Sequence, residues 1–382
     1  MDGAEHRAAV AAQAGAVATA WSPPDAPANW WLTAETFRAI AEDDVLLDLA
    51  AAVPAERLPP LVLSAAIRFL VTGQRPQPLV GYFPQPGGPQ PPRDDGFRPA
   101  LRAFCRSQAD ALARLCAAHR YQMNEVGRCL DVLPVLAQLT AADPRPLALV
   151  DLGTGAGLGL HLDRYRYSYD LADGASLVTG DPGSPVALSC AVRSGRPPVP
   201  ERPITFSARV GVDTEPLDLT DPPTAAWLAA CVPPEAGAVS RFAAAAAVAR
   251  GDPAPVVRGD LLAVLPAVVA GLPADALVCL VDTYVHVFLP ADRRARFDAL
   301  VDRIGRDRDL DWISVDPLVP LGPDARATVQ GLDVPAEWIR DNREQGVFGV
   351  IGRVSVRRGV RTGAVLGRAH PGSAWLEWTA QD

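Results

Sequence analysis

The stretch Leu147–Tyr165, LALVDLGTGAGLGLHLDRY, constrains the fold more than any other part of the chain. Its apolar start, Leu147-Ala148-Leu149-Val150, reads as a buried parallel strand that ends at Asp151. Gly153, Gly155 and Gly157 follow at alternate positions. Glycines there permit a sharp turn, positive φ and close backbone approach to a ligand. Leu158–Leu162 can then open a helix whose first N–H groups point back at the turn. An α/β sheet makes a nucleotide site in this way, at the carboxyl end of a strand.

The pattern is D-x-G-x-G-x-G, not the G-x-G-x-x-G by which dinucleotide binders surround a pyrophosphate. It resembles the first motif of class I S-adenosylmethionine-dependent methyltransferases. In that family the acidic residue and the glycine backbone surround the methionine part of a cofactor that carries no phosphate. The resemblance implies cofactor contacts from Asp151, Gly153, Thr154, Gly155 and Gly157. The bland alternative is a structural turn.

A length of 382 residues suggests this sheet plus an additional domain. With 49% hydrophobic residues, the chain can build a packed core. The net charge of −8 argues against a general nucleic-acid binder. The six cysteines form no C-x-x-C pair, so buried free thiols in a reducing cytoplasm are the simplest reading and no metal site is expected. No segment reads as a signal peptide or a membrane span. Abundant Ala, Arg and Pro with no Lys point to a GC-rich genome such as an actinomycete's.

Helical patterns occupy residues 1–20, 33–48, 58–72 and 97–116. Residues 73–96, rich in Pro, Gly and Gln, read as a loop or lid. Asn124, Glu125 and Arg128 lie on neighbouring turns of an expected helix within 119–139, where Glu125 and Arg128 can pair. These elements predict a helical N-terminal domain over 1–140, ahead of a Rossmann-like domain over 141–382.

Residues 165–205 alternate in the strand manner and read as a β-hairpin insertion after the first strand. The second sheet strand ends at Asp213, a candidate for ribose hydroxyls. It lies about 60 residues beyond the glycines rather than the usual ~20. Glu215 and Asp218 compete for that role, and Asp221 can cap the helix that follows. Asp260 follows the third strand, and the methyltransferase resemblance would place it at the adenine amino group; it can also cap the helix that follows, and both roles can hold at once. The fourth strand, 276–281, ends in Asp282-Thr283-Tyr284-Val285-His286. Asp282 can orient or deprotonate a nucleophile, and His286 and Tyr284 are further catalytic candidates. Strands at 310–315, 347–356 and 360–369 complete an expected seven-stranded sheet whose last hairpin is antiparallel.

Several groups occur in one order: Asn124-Glu125-x-x-Arg128, the glycine segment through Asp163-Arg164-Tyr165-x-Tyr167, Gly211-Val212-Asp213, and His370-Pro371…Trp375-Leu376-Glu377-Trp378. Together they resemble an actinobacterial family of unknown function that is itself similar to class I methyltransferases. The resemblance implies that Asn124 and Arg128 reach the cofactor, and that Glu125, His161, Tyr165 and Tyr167 line a substrate site. S-adenosylmethionine is the expected cofactor and a small metabolite the expected substrate. A cytoplasmic enzyme follows from this, without nucleic-acid or membrane partners; a homodimer is left open. Another reaction at the sulfonium, or binding without catalysis, stays open. A nicotinamide oxidoreductase is disfavoured, because both G-x-G-x-x-G and Tyr-x-x-x-Lys are missing.

Overall fold

The computed structural model describes residues 3–22, 30–72, 77–84, 90–234, 237–318, 328–344 and 347–379. The chain divides into two compact units. One holds Met1–Glu125 with Thr220–Ala243; the other holds Val126–Leu219 with Ala244–Asp382. The helix α7 (Cys129–Ala142) therefore belongs with the sheet rather than with a helical domain ending at 140.

The first unit is helical: α1 (Gly3–Ala20), α2 (Trp31–Glu42), α3 (Asp44–Ala51), α4 (Pro59–Thr72), α5 (Phe97–Ser107) and α6 (Ala109–Ala118). One helix expected over 33–48 is two, because Asp43 accepts from Val45 N and Leu46 N and so caps α3. The late helix α8 (Pro222–Cys231) joins this unit and packs on α4. Its Trp227 Nε1 donates to Arg120 O at 2.9 Å, and buried Arg68 donates to Ala230 O. Of the expected 73–96 loop, 73–76 and 85–89 lie outside the described residues, and Pro78–Tyr82 forms a 3-10 turn.

In the second unit β1 (Leu147–Leu152) pairs in parallel with β5 (Phe206–Asp213) and with β7 (Leu277–Thr283). The strand β6 (Val256–Arg258) flanks β5, and β8 (Leu310–Pro317) flanks β7. The chain thus builds one side of β1 first, then crosses to the other. The apolar residues of β1, β7 and β8 are buried along their whole lengths, as strands covered on both faces require. Ala148, Val150, Val278 and Leu280 pack with residues of α10 (Leu261–Ala270) and α11 (Ala291–Asp307) on one face.

The expected seven strands are eleven in a single sheet, in which six strands follow β8 in the order β11 (Gly349–Arg357), β12 (Val360–Ala369), β13 (Trp375–Trp378), β4 (Ala187–Ser194), β2 (Arg166–Leu171) and β3 (Ser176–Gly180). The hairpin β11–β12 is antiparallel as expected, but the sheet does not end there. The last strand, β13, pairs antiparallel with β12 and parallel with β4. It thereby joins the insertion strands β2, β3 and β4 to the main sheet. The helix α7 packs against the neighbouring strands β8 and β11 and against β4, three strands beyond β11.

Gly195, at the exit of β4, has φ +70° and its Cα faces the Trp378 carbonyl. Gly195→Ala is expected to cost at least about 1 kcal/mol through the left-handed backbone alone, and more through the clash. Urea unfolding reads this; an unchanged midpoint would show that the β4–β13 junction is not tightly packed.

Candidate functional site

Because β1 is flanked on one side by β5 and on the other by β7, the crevice at their carboxyl ends is the switch point at which doubly wound sheets place ligands. The glycine segment leaves β1 there. Gly153, Gly155 and Gly157 have φ of +65°, +55° and +73°, conformations that a side chain would strain. A Cβ on Gly153 would lie 2.6 Å from Val285 Cγ2, just past β7. A Cβ on Gly211 of β5 would meet the Thr154 methyl at 2.5 Å. The loop is therefore pressed onto both neighbouring strands, and Gly153 is exposed at the surface.

The loop does not open an α-helix. Residues Leu158–Arg164 form 3-10 turns with a break at His161, and Asp151 occupies the space beside Gly159. Nor are the loop's N–H groups presented as an anion nest. Gly153 N and Thr154 N donate to Val212 O at 2.8 and 3.3 Å. Gly157 N donates to Thr154 O at 2.9 Å, and Gly155 N donates to Asp213 Oδ2 at 2.8 Å.

Asp151 lies beneath the loop, where Thr154 Oγ1 donates to it at 2.6 Å. Burial, partly countered by that hydrogen bond and reinforced by the Asp213 charge, pushes its carboxyl up to about 6. Asp213 is only partly buried and accepts from Gly155 N and Glu215 N. A carboxylate has about four lone-pair sites, so two such bonds leave acceptor capacity for hydroxyls. Asp260 caps α10 through Leu262 N at 2.9 Å and pairs with Arg293.

Asp282, the expected base, is 1% exposed. Trp312 Nε1 donates to its Oδ2 at 2.6 Å, and Ser314 Oγ to its Oδ1 at 3.2 Å. Burial and the neighbouring Asp316 push it up to about 7, against the opposing effects of His286 and Trp312. His286 Nδ1 lies 3.4 Å from Asp316 Oδ2, and its ring meets Trp312 edge-on at 5.0 Å. Asp282, His286 and Asp316 form one buried polar cluster across the ends of β7 and β8. Sequence reasoning missed Asp316, Trp312 and Ser314 as members. The available signal was an Asp after the apolar run of each of two strands that prove to be neighbours. No group of three or more His, Cys, Asp or Glu suited to a metal occurs among the described residues.

Tyr284 adopts φ +59°, strained for a residue with a side chain. Its hydroxyl is buried without a hydrogen-bond partner. Arg128, in a 3-10 turn ahead of α7, stacks over the Tyr284 ring at 4.3 Å, and its Nη1 donates to Thr283 O at 3.4 Å. The expected helix across Asn124 and Glu125 begins only at Cys129. Glu125 approaches Arg241 (4.0 Å) instead of pairing with Arg128, and Asn124 Nδ2 donates to Gln122 O.

The proposed substrate tyrosines have internal roles. Tyr165 and Tyr167 are fully buried and donate to Leu158 O at 2.7 Å and Leu162 O at 2.5 Å. They brace the 3-10 segment, where their hydroxyls are taken up by backbone carbonyls. His161 is 1% exposed, and burial lowers its pKa.

No helix among the described residues is long and apolar enough to cross a membrane. No curated protein matches the chain. Residues 25–378 match a family described as uncharacterized proteins conserved in bacteria, DUF2332; with nearly the whole sequence matched, the chain belongs to that family.

Proposed function

We infer that the protein is an S-adenosylmethionine-dependent enzyme, most simply a methyltransferase acting on a small molecule at the switch point of its sheet. The observation that carries this reading is the state of the glycine loop. Its N–H groups at 153, 154, 155 and 157 are committed to Val212 O, Asp213 and Thr154 O. A diphosphate cofactor would need those donors and would sit beside two carboxylates, Asp151 and Asp213. A nucleoside with no phosphate and a cationic sulfonium has neither difficulty. Asp213 retains acceptors for ribose hydroxyls. When bound, the cofactor supplies an already activated methyl group. The chain then has to orient a nucleophile and exclude water.

The burial of Asp282 favours a second reading, in which the cofactor is bound for a reaction that needs no protein base, or without catalysis.

Calorimetric titration tests the cofactor. S-adenosylmethionine and S-adenosylhomocysteine are expected to bind at micromolar concentration. Gly155→Val, by straining a +55° backbone, is expected to weaken both at least tenfold, and Asp213→Ala to weaken them comparably. A folded wild-type protein that binds neither would sink this reading.

A further inference from the structure

Arg128 is poorly satisfied for a part-buried arginine. Arg145, Arg209, Arg357 and Arg368 each hold a carboxylate. Arg128 holds none: its guanidinium lies over the Tyr284 ring, its Nη1 makes one long bond to Thr283 O, and its Nε is buried with no partner. Leaving such a donor unmade costs about 1–3 kcal/mol, unless a ligand completes it.

The tyrosine beneath it carries a second unmade donor. Burial pushes the Tyr284 phenol well above its ordinary range, with Arg128 opposing, so the hydroxyl keeps its proton and can donate. Space for that hydroxyl is provided by Gly349, the first residue of β11; a Cβ there would lie 2.8 Å from Tyr284 Oη. Tyr284 is held at φ +59° immediately after β7. Strain of this kind persists where the surrounding structure enforces it, and it clusters at ligand sites. Val285, the next residue, packs on Gly153 of the glycine loop. A strained aromatic, a stacked guanidinium and two unmade donors therefore lie together at the carboxyl end of β7, with Val285 on the glycine-loop side and the Tyr284 hydroxyl on the β11 side.

We propose that Arg128 and Tyr284 form a carboxylate-binding subsite at the carboxyl end of β7. A planar guanidinium fixed by stacking is suited to hold a carboxylate through parallel N–H bonds. The carboxylate can belong to the amino-acid part of the cofactor or to the second reactant. Only the first source rests on the cofactor reading above.

The test titrates wild type, Arg128→Gln, Arg128→Lys and Tyr284→Phe with S-adenosylhomocysteine and with 5′-methylthioadenosine, which lacks the amino-acid group. In parallel, a panel of small carboxylic acids and their matching amides is followed by ligand-observed NMR. If the cofactor supplies the carboxylate, Arg128→Gln weakens S-adenosylhomocysteine at least tenfold and leaves 5′-methylthioadenosine unchanged. If the second reactant supplies it, S-adenosylhomocysteine is unaffected, while an acid that binds wild type in preference to its amide is lost in Arg128→Gln. In either case Arg128→Lys retains part of the affinity and Tyr284→Phe shows a smaller loss. Acid binding that depends on Arg128, in a protein that binds no S-adenosylhomocysteine, would uphold the subsite and remove the cofactor reading. Wild type that binds no carboxylate, or binding equal in wild type and a folded Arg128→Gln, overturns the proposal.

Discussion

Asp282→Asn is expected to flatten the pH dependence of stability between about pH 4 and pH 8. The carboxyl titrates near 7 in the folded chain, against about 3.9 when unfolded. A raised folded pKa means that the native state holds the proton more tightly. The corresponding stability is fully present below about pH 4 and is lost as pH rises through about 7. The full gap corresponds to roughly 4 kcal/mol as an upper bound, because one pKa unit is worth about 1.36 kcal/mol. Asparagine carries no charge, so its effect should become more favourable by a few kcal/mol between pH 4 and pH 8. At pH 4 it should be mildly destabilising, since asparagine offers one acceptor oxygen to the three donors Trp312, Ser314 and His286 N. Urea unfolding at pH 4, 6 and 8 measures this. Parallel profiles for variant and wild type would show that Asp282 is not the group being titrated. Asp151, raised to about 6 by burial, acts in the same direction, and His161, whose pKa burial lowers, acts in the opposite one.

Trp312→Phe should have a comparable effect of opposite sign. The indole is fully buried, touches Phe297 and His286 edge-on, and donates to Asp282 Oδ2. Phenylalanine leaves a small void and deprives a buried carboxylate of a donor, together about 2–4 kcal/mol. The charged carboxylate needs that donor more than the neutral acid does. The loss should therefore be larger at pH 8 than at pH 4, and it should shrink when Asp282→Asn is already present. A pH-independent cost, additive with Asp282→Asn, would mean that the indole contributes packing alone.

Much of the parallel sheet was legible because each strand is a local pattern. Leu147–Val150 and Ala276–Val281 are apolar runs ending in Asp, and β1 and β7 lie where those runs predict. The glycines at 153, 155 and 157 announced a turn with positive φ, and all three adopt it. The helix expected after them did not form. Gly159 lets the chain pass close over Asp151, and the segment tightens into 3-10 turns braced by the buried hydroxyls of Tyr165 and Tyr167. Alternation in 165–205 showed strands, but not their destination. That depended on β13, a four-residue strand almost two hundred residues later, pairing with β4.

The sequence by itself determined the parallel strands β1, β5, β6, β7 and β8 and their order along the chain, the turn at the end of β1 and the acidic residues that close β1, β5, β7 and β8. These follow from hydrophobic period and backbone freedom, which are properties of neighbouring residues. Only the tertiary structure decided which of those acids would be buried and which would keep acceptors for a ligand. It drew Asp282, His286 and Asp316 into one cluster, left Asp213 at the surface of the crevice, and placed Arg128 over a strained Tyr284. Burial and charge proximity depend on which strands lie side by side, and that pairing is set by contacts between residues far apart in the chain.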